Sequence, residues 1–422
     1  MPGSHLPLLE EGMARWPFGP PNAGIALDFA GAPPALEELR ALVEERWKAL
    51  PRLTQTLVAP GGARPRLAWW TGRHRWARAD GHELGRQVDG ADGTLRDAVR
   101  QWFHTPFPAD RPPWGLHLLR GSTEGEFSLL FRMHHSLLDG RSLTTLLRAL
   151  LDDGRPLDCA ASLAVPGPRR RTARPAPGAG GPPGLLTMGR AVPLPHRGPR
   201  EPAYALVALR ADVLRAAREA APARTATTND VFLAAVTGVL RSRLADSAPD
   251  SRSARRQVWL SVPVDERPED CGEFLGNAFA NVRVPAPVTL ADPAARLTAC
   301  TGLLTTVTRP RSTAERLVEG TLAALPGATM ALAGGTIFAP DYAPAACSYV
   351  HLREQGRTLA GRPLRSLNIV PMVPPADTAT FALGGCTRGH TLSVATNSGN
   401  QDATLLAEAF LTELALLAEG GG

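Results

Sequence analysis

The sequence predicts a mixed α/β (α+β) chain of two domains, and three observations carry that reading. The length of 422 residues exceeds what one hydrophobic core ordinarily serves, so two cores are expected. Helical and strand-like apolar periods alternate from one end to the other instead of segregating. Between Gly154 and Pro202 both periods give way to Pro, Gly, Arg and Ala, with Arg169-Arg170-Arg171 and Gly180-Gly181-Pro182-Pro183 inside, which is linker composition. The expected division is therefore residues 1–153, an interdomain linker at 154–202, and residues 203–422.

Each element has a local reason. Leu36, Leu39, Leu42, Val43 and Trp47 follow a helical period behind Pro33-Pro34, which places a helix over residues 34–50. A second helix runs from Leu95 to Phe103 and stops at Pro106-Phe107-Pro108. Trp114 to Leu119 and Phe127 to Met133 read as paired strands, and Leu143, Leu146, Leu147, Leu150 and Leu151 restore the helical period just beyond them. After the linker come a strand at 204–209, helices at 211–220 and 228–244, strands at 258–264 and 281–284, and a helix at 294–307. Strands at 367–373, 381–383 and 391–397 precede a closing helix over 403–417.

Composition excludes several functions. The formal charge of +6 comes almost wholly from arginine, Lys48 being the single lysine, and guanidinium groups suit phosphates and carboxylates. Aromatics are only 5%, and no base-stacking alternation of aromatics with arginines is read, so nucleic acid is not an expected partner. Five scattered cysteines without a Cys-x-x-Cys pair argue against a disulfide framework and a zinc site and fit a reducing, cytoplasmic setting. The N-terminus lacks the basic start and apolar core of a signal peptide. Leu317 to Phe338 is too rich in Ala, Gly and Thr, with Pro326 and Glu319 inside, to span a bilayer and reads as packed helices.

The chemistry concentrates at His134-His135-Ser136-Leu137-Leu138-Asp139-Gly140, a connection between the second paired strand and the next helix. Gly140 is expected to ease the turn and Ser142 to cap the helix. A histidine at the mouth of a cleft can take a proton from an alcohol or amine at working pH, and His135 is the candidate, with His134 facing the packing side. Asp139 has two open roles: partner of the imidazole, or partner of an arginine that shapes the loop, the second being preferred. Adjacent strand residues point to opposite faces, so His134 and His135 are not expected to chelate one metal. Neither a Gly-x-Ser-x-Gly elbow nor a phosphate loop is present.

The His-His-x-x-x-Asp-Gly string, together with the segment from Pro106 to Gly121, resembles bacterial wax ester synthase/diacylglycerol acyltransferase proteins. Trp114 stands for the tryptophan of their Pro-Leu-Trp segment, and Asn229-Asp230 for their Asn-Asp helix start. Leu275-Gly276-Asn277 is similar as well, and Ser348-Tyr349-Val350 stands where they carry Ser-Asn-Val-Pro-Gly-Pro. The resemblance implies a two-lobed chloramphenicol acetyltransferase-like fold with a tunnel between lobes. It also implies direct acyl transfer from an acyl-CoA or a phosphopantetheinyl acyl carrier thioester to a hydroxyl or amine acceptor, without a bound cofactor. His135 would act as base and Asp139 mainly as loop organiser; His134, Gly140, Asn229, Asp230 and Trp114 would support the motif, and Asn277, Ser348 and Tyr349 would lie at the substrate. An acidic carrier protein and a peripheral membrane contact are compatible partners.

The departures at Tyr349-Val350-His351-Leu352-Arg353 and at Pro113 turn the expectation from storage lipid toward a specialised metabolite. A free-standing condensation enzyme of nonribosomal peptide assembly is an alternative, although its Asp-Phe-Gly-Trp block is missing and Glu273-Phe274-Leu275-Gly276-Asn277 stands nearest. The other alternative is a non-catalytic scaffold that binds a carrier protein.

Overall fold

The computed structural model describes residues 5–61, 65–79, 83–121, 125–166, 187–194, 201–221, 225–245, 256–304, 320–321, 324–352, 357–398 and 400–419. Two six-stranded sheets organise them. In chain order the strands are β1 (Asn22–Ala30), β2 (Gln55–Val58), β3 (Arg75–Arg78), β4 (Val88–Asp92), β5 (Trp114–Arg120), β6 (Glu126–His134) and β7 (Ala203–Leu209). There follow β8 (Val258–Asp265), β9 (Phe279–Ala286), β10 (Ala345–Leu352), β11 (Thr358–Leu359), β12 (Arg362–Val370), β13 (Ala379–Cys386) and β14 (Gly389–Thr396). The first sheet has the order β11-β12-β1-β6-β5-β4 and the second β7-β14-β13-β10-β8-β9, while β2 and β3 form a separate hairpin.

The expected boundary at residue 203 does not separate the sheets. β12 pairs antiparallel with β1 along Gly24↔Val370 to Phe29↔Leu364, so chain from the second half completes the first sheet. Nor is the segment 154–202 uniform linker where it is described: Asp158 caps a short helix, Cys159–Leu163, and Val192 is buried in the second core. Its stretches 167–186 and 195–200 lie outside the described residues.

β1 is the spine of the first sheet, with β6 on its other edge from Asn22↔His134 to Ala30↔Glu126. Ile25, Leu27 and Phe29 enter the core on one face, while Ala26 packs against Val99, Phe103 and Leu130 on the other. A strand covered on both faces needs apolar residues in succession and shows no alternation. Trp114 sits in this first core, stacked on Phe131 at 5.3 Å with its indole N–H donating to Leu53 O at 2.9 Å. The Leu95–Trp102 helix starts at a Thr94/Asp97 capping box, and the Thr228–Ala245 helix is the buried axis of the second core.

One irregularity of the second sheet positions the site. β10 and β8 pair only at Ala345↔Leu260 and Ala346↔Ser261, after which the two strands part. Residues of both, from Ser261 to Asp265 and from Ala346 to Leu352, line a cavity of about 2060 Å³ that also reaches the first lobe.

Candidate active site

β6 delivers His134 and His135 to this cavity because its backbone is pinned at the last step. His134 N–H donates to Pro113 O at 2.9 Å, and His135 N–H to Pro21 O at 2.8 Å. The two imidazoles part from there, as the strand period requires. His134 turns inward, where its Nδ1 accepts from the Ser136 backbone N–H at 3.3 Å and bonds the Ser136 hydroxyl at 2.7 Å. Burial, with the neighbouring His135 and His74, pushes its pKa down to about 3, so it is a neutral packing group.

His135 lines the cavity. Its Nδ1 is sealed from solvent beside the backbone of His135 and Leu138, without a side-chain partner, which leaves Nε2 as the nitrogen free to meet a ligand in the cavity. Burial lowers its pKa, and the backbone of His135 and Leu138 and the Asp139 carboxylate act in the opposite direction without overcoming it. The resting ring is therefore a neutral imidazole able to accept a proton.

Asp139 is engaged elsewhere. Its carboxylate accepts from Arg267 Nη2 at 2.7 and 2.9 Å, from the Ala278 N–H at 2.8 Å and from the Ser142 N–H at 2.8 Å. Asp139, and not Ser142 as expected, is thus the N-cap of the Gly140–Arg148 helix; its acceptor occupies one of the helix's orphan donors. Ser142 has its own task, donating to Gly276 O at 2.8 Å and taking the Gly276 N–H at 3.1 Å. Gly140 is not there for a left-handed turn: a Cβ would sit 2.9 Å from Val350 Cγ2, so glycine permits the close approach of helix and β10.

The chain thus ties the loop to residues more than a hundred positions away. Arg267, with only 1% of its side chain exposed, also bonds Asp265 at 2.9 Å and lies under Phe274. Sequence reading missed it, because Asp265-Glu266-Arg267-Pro268-Glu269-Asp270 looks like a solvated charge run. It also missed a second buried polar group. Glu10 accepts from Trp76 Nε1 at 2.7 Å and pairs with Arg52, whose Nε donates to Leu137 O at 3.0 Å; all three line the cavity. Burial pushes the Glu10 carboxyl up against the pull of Arg52.

Of the remaining expected residues, Asn277 lines the cavity and its amide donates to Ser136 O at 2.9 Å. Ser348 and Tyr349 line it from β10, the Tyr349 hydroxyl lying 3.4 Å from His390 Nε2. Trp114, Asn229 and Asp230 are not on its wall. Asp230 closes a capping box with Thr227, taking the Thr227 N–H at 2.8 Å and its hydroxyl at 2.7 Å, and its other oxygen accepts from the Gly302 N–H at 3.2 Å. Among the described residues no group of three or more His, Cys, Asp or Glu is arranged to hold a metal ion, and no helix is long and apolar enough to cross a membrane.

Two sheets flanking a His-His-x-x-x-Asp-Gly loop, with a cavity reaching both, give the chain a fold similar to the chloramphenicol acetyltransferase-like fold of condensation domains. The chain belongs to the wax ester synthase/diacylglycerol acyltransferase family, whose catalytic-domain profile matches residues 22–261, more than half of it. The wax ester synthase/diacylglycerol acyltransferase from Marinobacter aquaeolei VT8 superposes with a TM-score of 0.60 at 18% identity, over 99% of this chain and 100% of that one. The first condensation domain of the CDA synthetase gives 0.63 at 16% identity, over 100% and 97%. At such identities these likenesses concern the fold.

Curated relatives are more similar in sequence. The probable diacylglycerol O-acyltransferase tgs2 of Mycobacterium tuberculosis is 28% identical over 303 residues, 62% of this chain and 64% of that protein. The putative diacylglycerol O-acyltransferase Rv3371 of the same organism is 26% identical over 130 residues, 29% and 26% of the two chains. The matched regions therefore span from about a quarter to just under two thirds of these relatives' own lengths.

Proposed function

We propose that this chain is an acyltransferase that moves an acyl group from a thioester directly to a hydroxyl or amine acceptor, with His135 as general base. The observation that carries the reading is the contrast at one loop: a neutral imidazole with one nitrogen sealed and the other presented to the cavity, held there by an aspartate whose oxygens are already engaged. Such a ring accepts the acceptor's proton as its oxygen or nitrogen attacks the thioester carbonyl. The C–S bond then breaks, and the thiolate leaves with the proton returned by the imidazolium. Either acyl-CoA or a phosphopantetheinyl acyl carrier protein supplies such a thioester, and no acyl-enzyme is required.

The acceptor we favour is a polar, specialised metabolite. The cavity carries the Glu10–Arg52 pair, Asn277 and, where the family has Asn and Pro, Tyr349 and His351. The second reading, wax ester or triacylglycerol formation, is favoured by the apolar lining of the same wall, which includes Met13, Trp16, Met330, Ile337 and Phe338, the Trp16 and Phe338 rings meeting edge to face at 4.8 Å. Incubation with an acyl-CoA series and an alcohol and amine panel, read by mass spectrometry, separates the two. Turnover that rises with acyl length and long-chain alcohols supports the lipid reading. Product from wild type and His135→Ala alike overturns the chemistry itself.

A further inference from the structure

A second cavity, of about 460 Å³, lies away from the histidines, toward the other end of β1. Asp28, on its floor, is six residues from Asn22, which stands opposite His134; at the rise of a strand that is about 20 Å. Three neighbouring strands of the first sheet set polar side chains side by side there. Asp28 stands opposite Ser128 of β6 and Ser366 of β12. Its carboxylate accepts from the Ser128 hydroxyl at 2.6 Å, from the Asn368 amide at 2.6 Å and from the Ser366 hydroxyl. Asn368 is only 7% exposed, and two residues back along β1 Ala26 enters the apolar cluster of Val99, Phe103 and Leu130. All three donors to Asp28 are neutral, so among the described residues its charge meets no cation. A carboxylate has room for a further donor, and one held beside an apolar cluster is under-compensated until a cation joins it.

β12 is irregular at this point. Its register on β1 passes from Asp28↔Ser366 to Phe29↔Leu364, which leaves Arg365 as the extra residue of a bulge. Successive strand residues ordinarily face opposite ways, yet Arg365 and Ser366 both line the cavity, the re-aiming that a bulge permits. The Cys386 thiol donates to the Arg365 carbonyl at 3.3 Å. Arg96, in the first turn of the Leu95–Trp102 helix, and Glu126 complete the charged lining, and Leu206 of β7 closes it from the second sheet. Two carboxylates and two guanidinium groups leave the lining formally neutral while keeping both signs in it. A phosphate would meet Asp28 and Glu126, and a metal cation would meet Arg96 and Arg365. A small molecule that carries an ammonium and a carboxylate together satisfies both signs, and the volume lies within the range of small-molecule sites.

We propose that this cleft between the sheets binds a free α-amino acid, its ammonium on the Asp28 carboxylate and the Ser128 and Ser366 oxygens, its carboxylate on the Arg365 guanidinium with Arg96 beside it. The test screens the standard amino acids at millimolar concentration against the full chain by melting temperature, with no acyl donor present, and titrates the best of them by calorimetry. At least one raises the melting temperature of wild type saturably. The matched amine without the carboxyl group and the matched acid without the amino group each bind at least about tenfold more weakly. Asp28→Asn and Arg365→Gln each lose at least about tenfold in affinity for the amino acid. Arg365 is exposed and its side chain takes no part in the floor bonds, so its variant keeps the test readable where Asp28→Asn does not fold. No saturable shift with any amino acid overturns the proposal, as does wild-type affinity in Arg365→Gln or in a folded Asp28→Asn. Equal binding of the matched amine also overturns it, since the cleft would then take a simple cation. Binding is read without turnover, so its failure leaves the acyl-transfer reading standing.

Discussion

The two ends of the motif from His134 to Gly140 are built on opposite rules. At its end the Asp139 carboxylate accepts from Arg267, Ala278 N and Ser142 N, and its backbone N–H is committed to Gly276 O at 3.2 Å. Four residues earlier His135 has a ring with no bond to any described side chain and one nitrogen toward a cavity. A saturated group contributes position, whereas a group kept unsaturated keeps its valence for a ligand. The difference teaches that charge near a histidine is not by itself evidence of a catalytic dyad, since this carboxylate holds the loop's shape from the far side.

The strongest way to break the comparison is to exchange the consequences of the two ends. His135→Ala should lower acyl transfer by about 10²–10⁴-fold, with a melting temperature close to wild type, because a cavity-facing ring is removed and no bond network is touched. A variant that retains its activity, measured as product by mass spectrometry, would falsify the general-base assignment. A variant that loses its fold instead would place His135 with Asp139 on the structural side.

The brace should fail in the other order. Arg267→Ala or Asp139→Ala leaves a buried charge without its partner, which costs about 3–5 kcal/mol of stability, read as a fall in the urea midpoint. Activity falls with it because the loop loses its anchor. Asp139→Asn sharpens the point: it keeps an oxygen for the Ser142 N–H but not the charge opposite Arg267, so most of the loss should persist. An Asp139→Ala protein of full stability and no activity would return the carboxylate to the reacting atoms.

The histidines also differ from Asp139 in how pH reaches them. Both carry folded pKa values depressed by burial, His134 to about 3 from an ordinary value near 6.5. The unfolded chain then binds protons that the folded chain refuses, so their stabilisation is complete above pH 6.5 and is lost as pH falls toward the folded value. Melting temperature should therefore decline from pH 6.5 to 4.5 with a steeper slope in wild type than in His134→Gln. Parallel slopes would mean that the His134 ring does not stay neutral in the fold. By the same sign, the acidic limb of the activity profile should lie below pH 6.5, since His135 remains an unprotonated base further down than a free histidine.

How much of this was legible in the sequence follows from where information is local. The helix ending at the Pro106 cluster, the β5–β6 hairpin and the closing helix announce themselves by period and by breakers within a few residues. β1 does not, because a strand buried on both faces reads as Asn-Ala-Gly-Ile-Ala-Leu-Asp-Phe-Ala, with no alternation to count. β10 is likewise hidden in its local sequence, Ala-Ala-Cys-Ser-Tyr-Val-His-Leu, and nothing local says that β12 crosses into the first sheet. His135 could be singled out because its role depends on a short motif, but Arg267 and the Glu10–Arg52 pair are joined to it only by the fold. Chemistry alone favours an arginine partner for Asp139, but only the fold selects Arg267 from the many arginines of the chain.

The smallest expected effect concerns Asn229-Asp230, which the family resemblance offers as supporting residues of the motif. Asp230 is 7% exposed and spends both oxygens on the start of its own helix and on Gly302 N–H, away from the cavity wall. It belongs with Asp139 in kind but lacks Asp139's tie to the histidine loop. Asp230→Ala should cost about 1 kcal/mol, the usual loss for a helix cap, and leave turnover per folded molecule unchanged. Asn229→Ala should change neither, as nothing in the described structure joins its side chain to the cavity. If Asn229→Ala instead lowers kcat while the melting temperature holds, the wall of the site extends to the start of the 228–245 helix, and the separation between bracing and reacting residues is drawn in the wrong place.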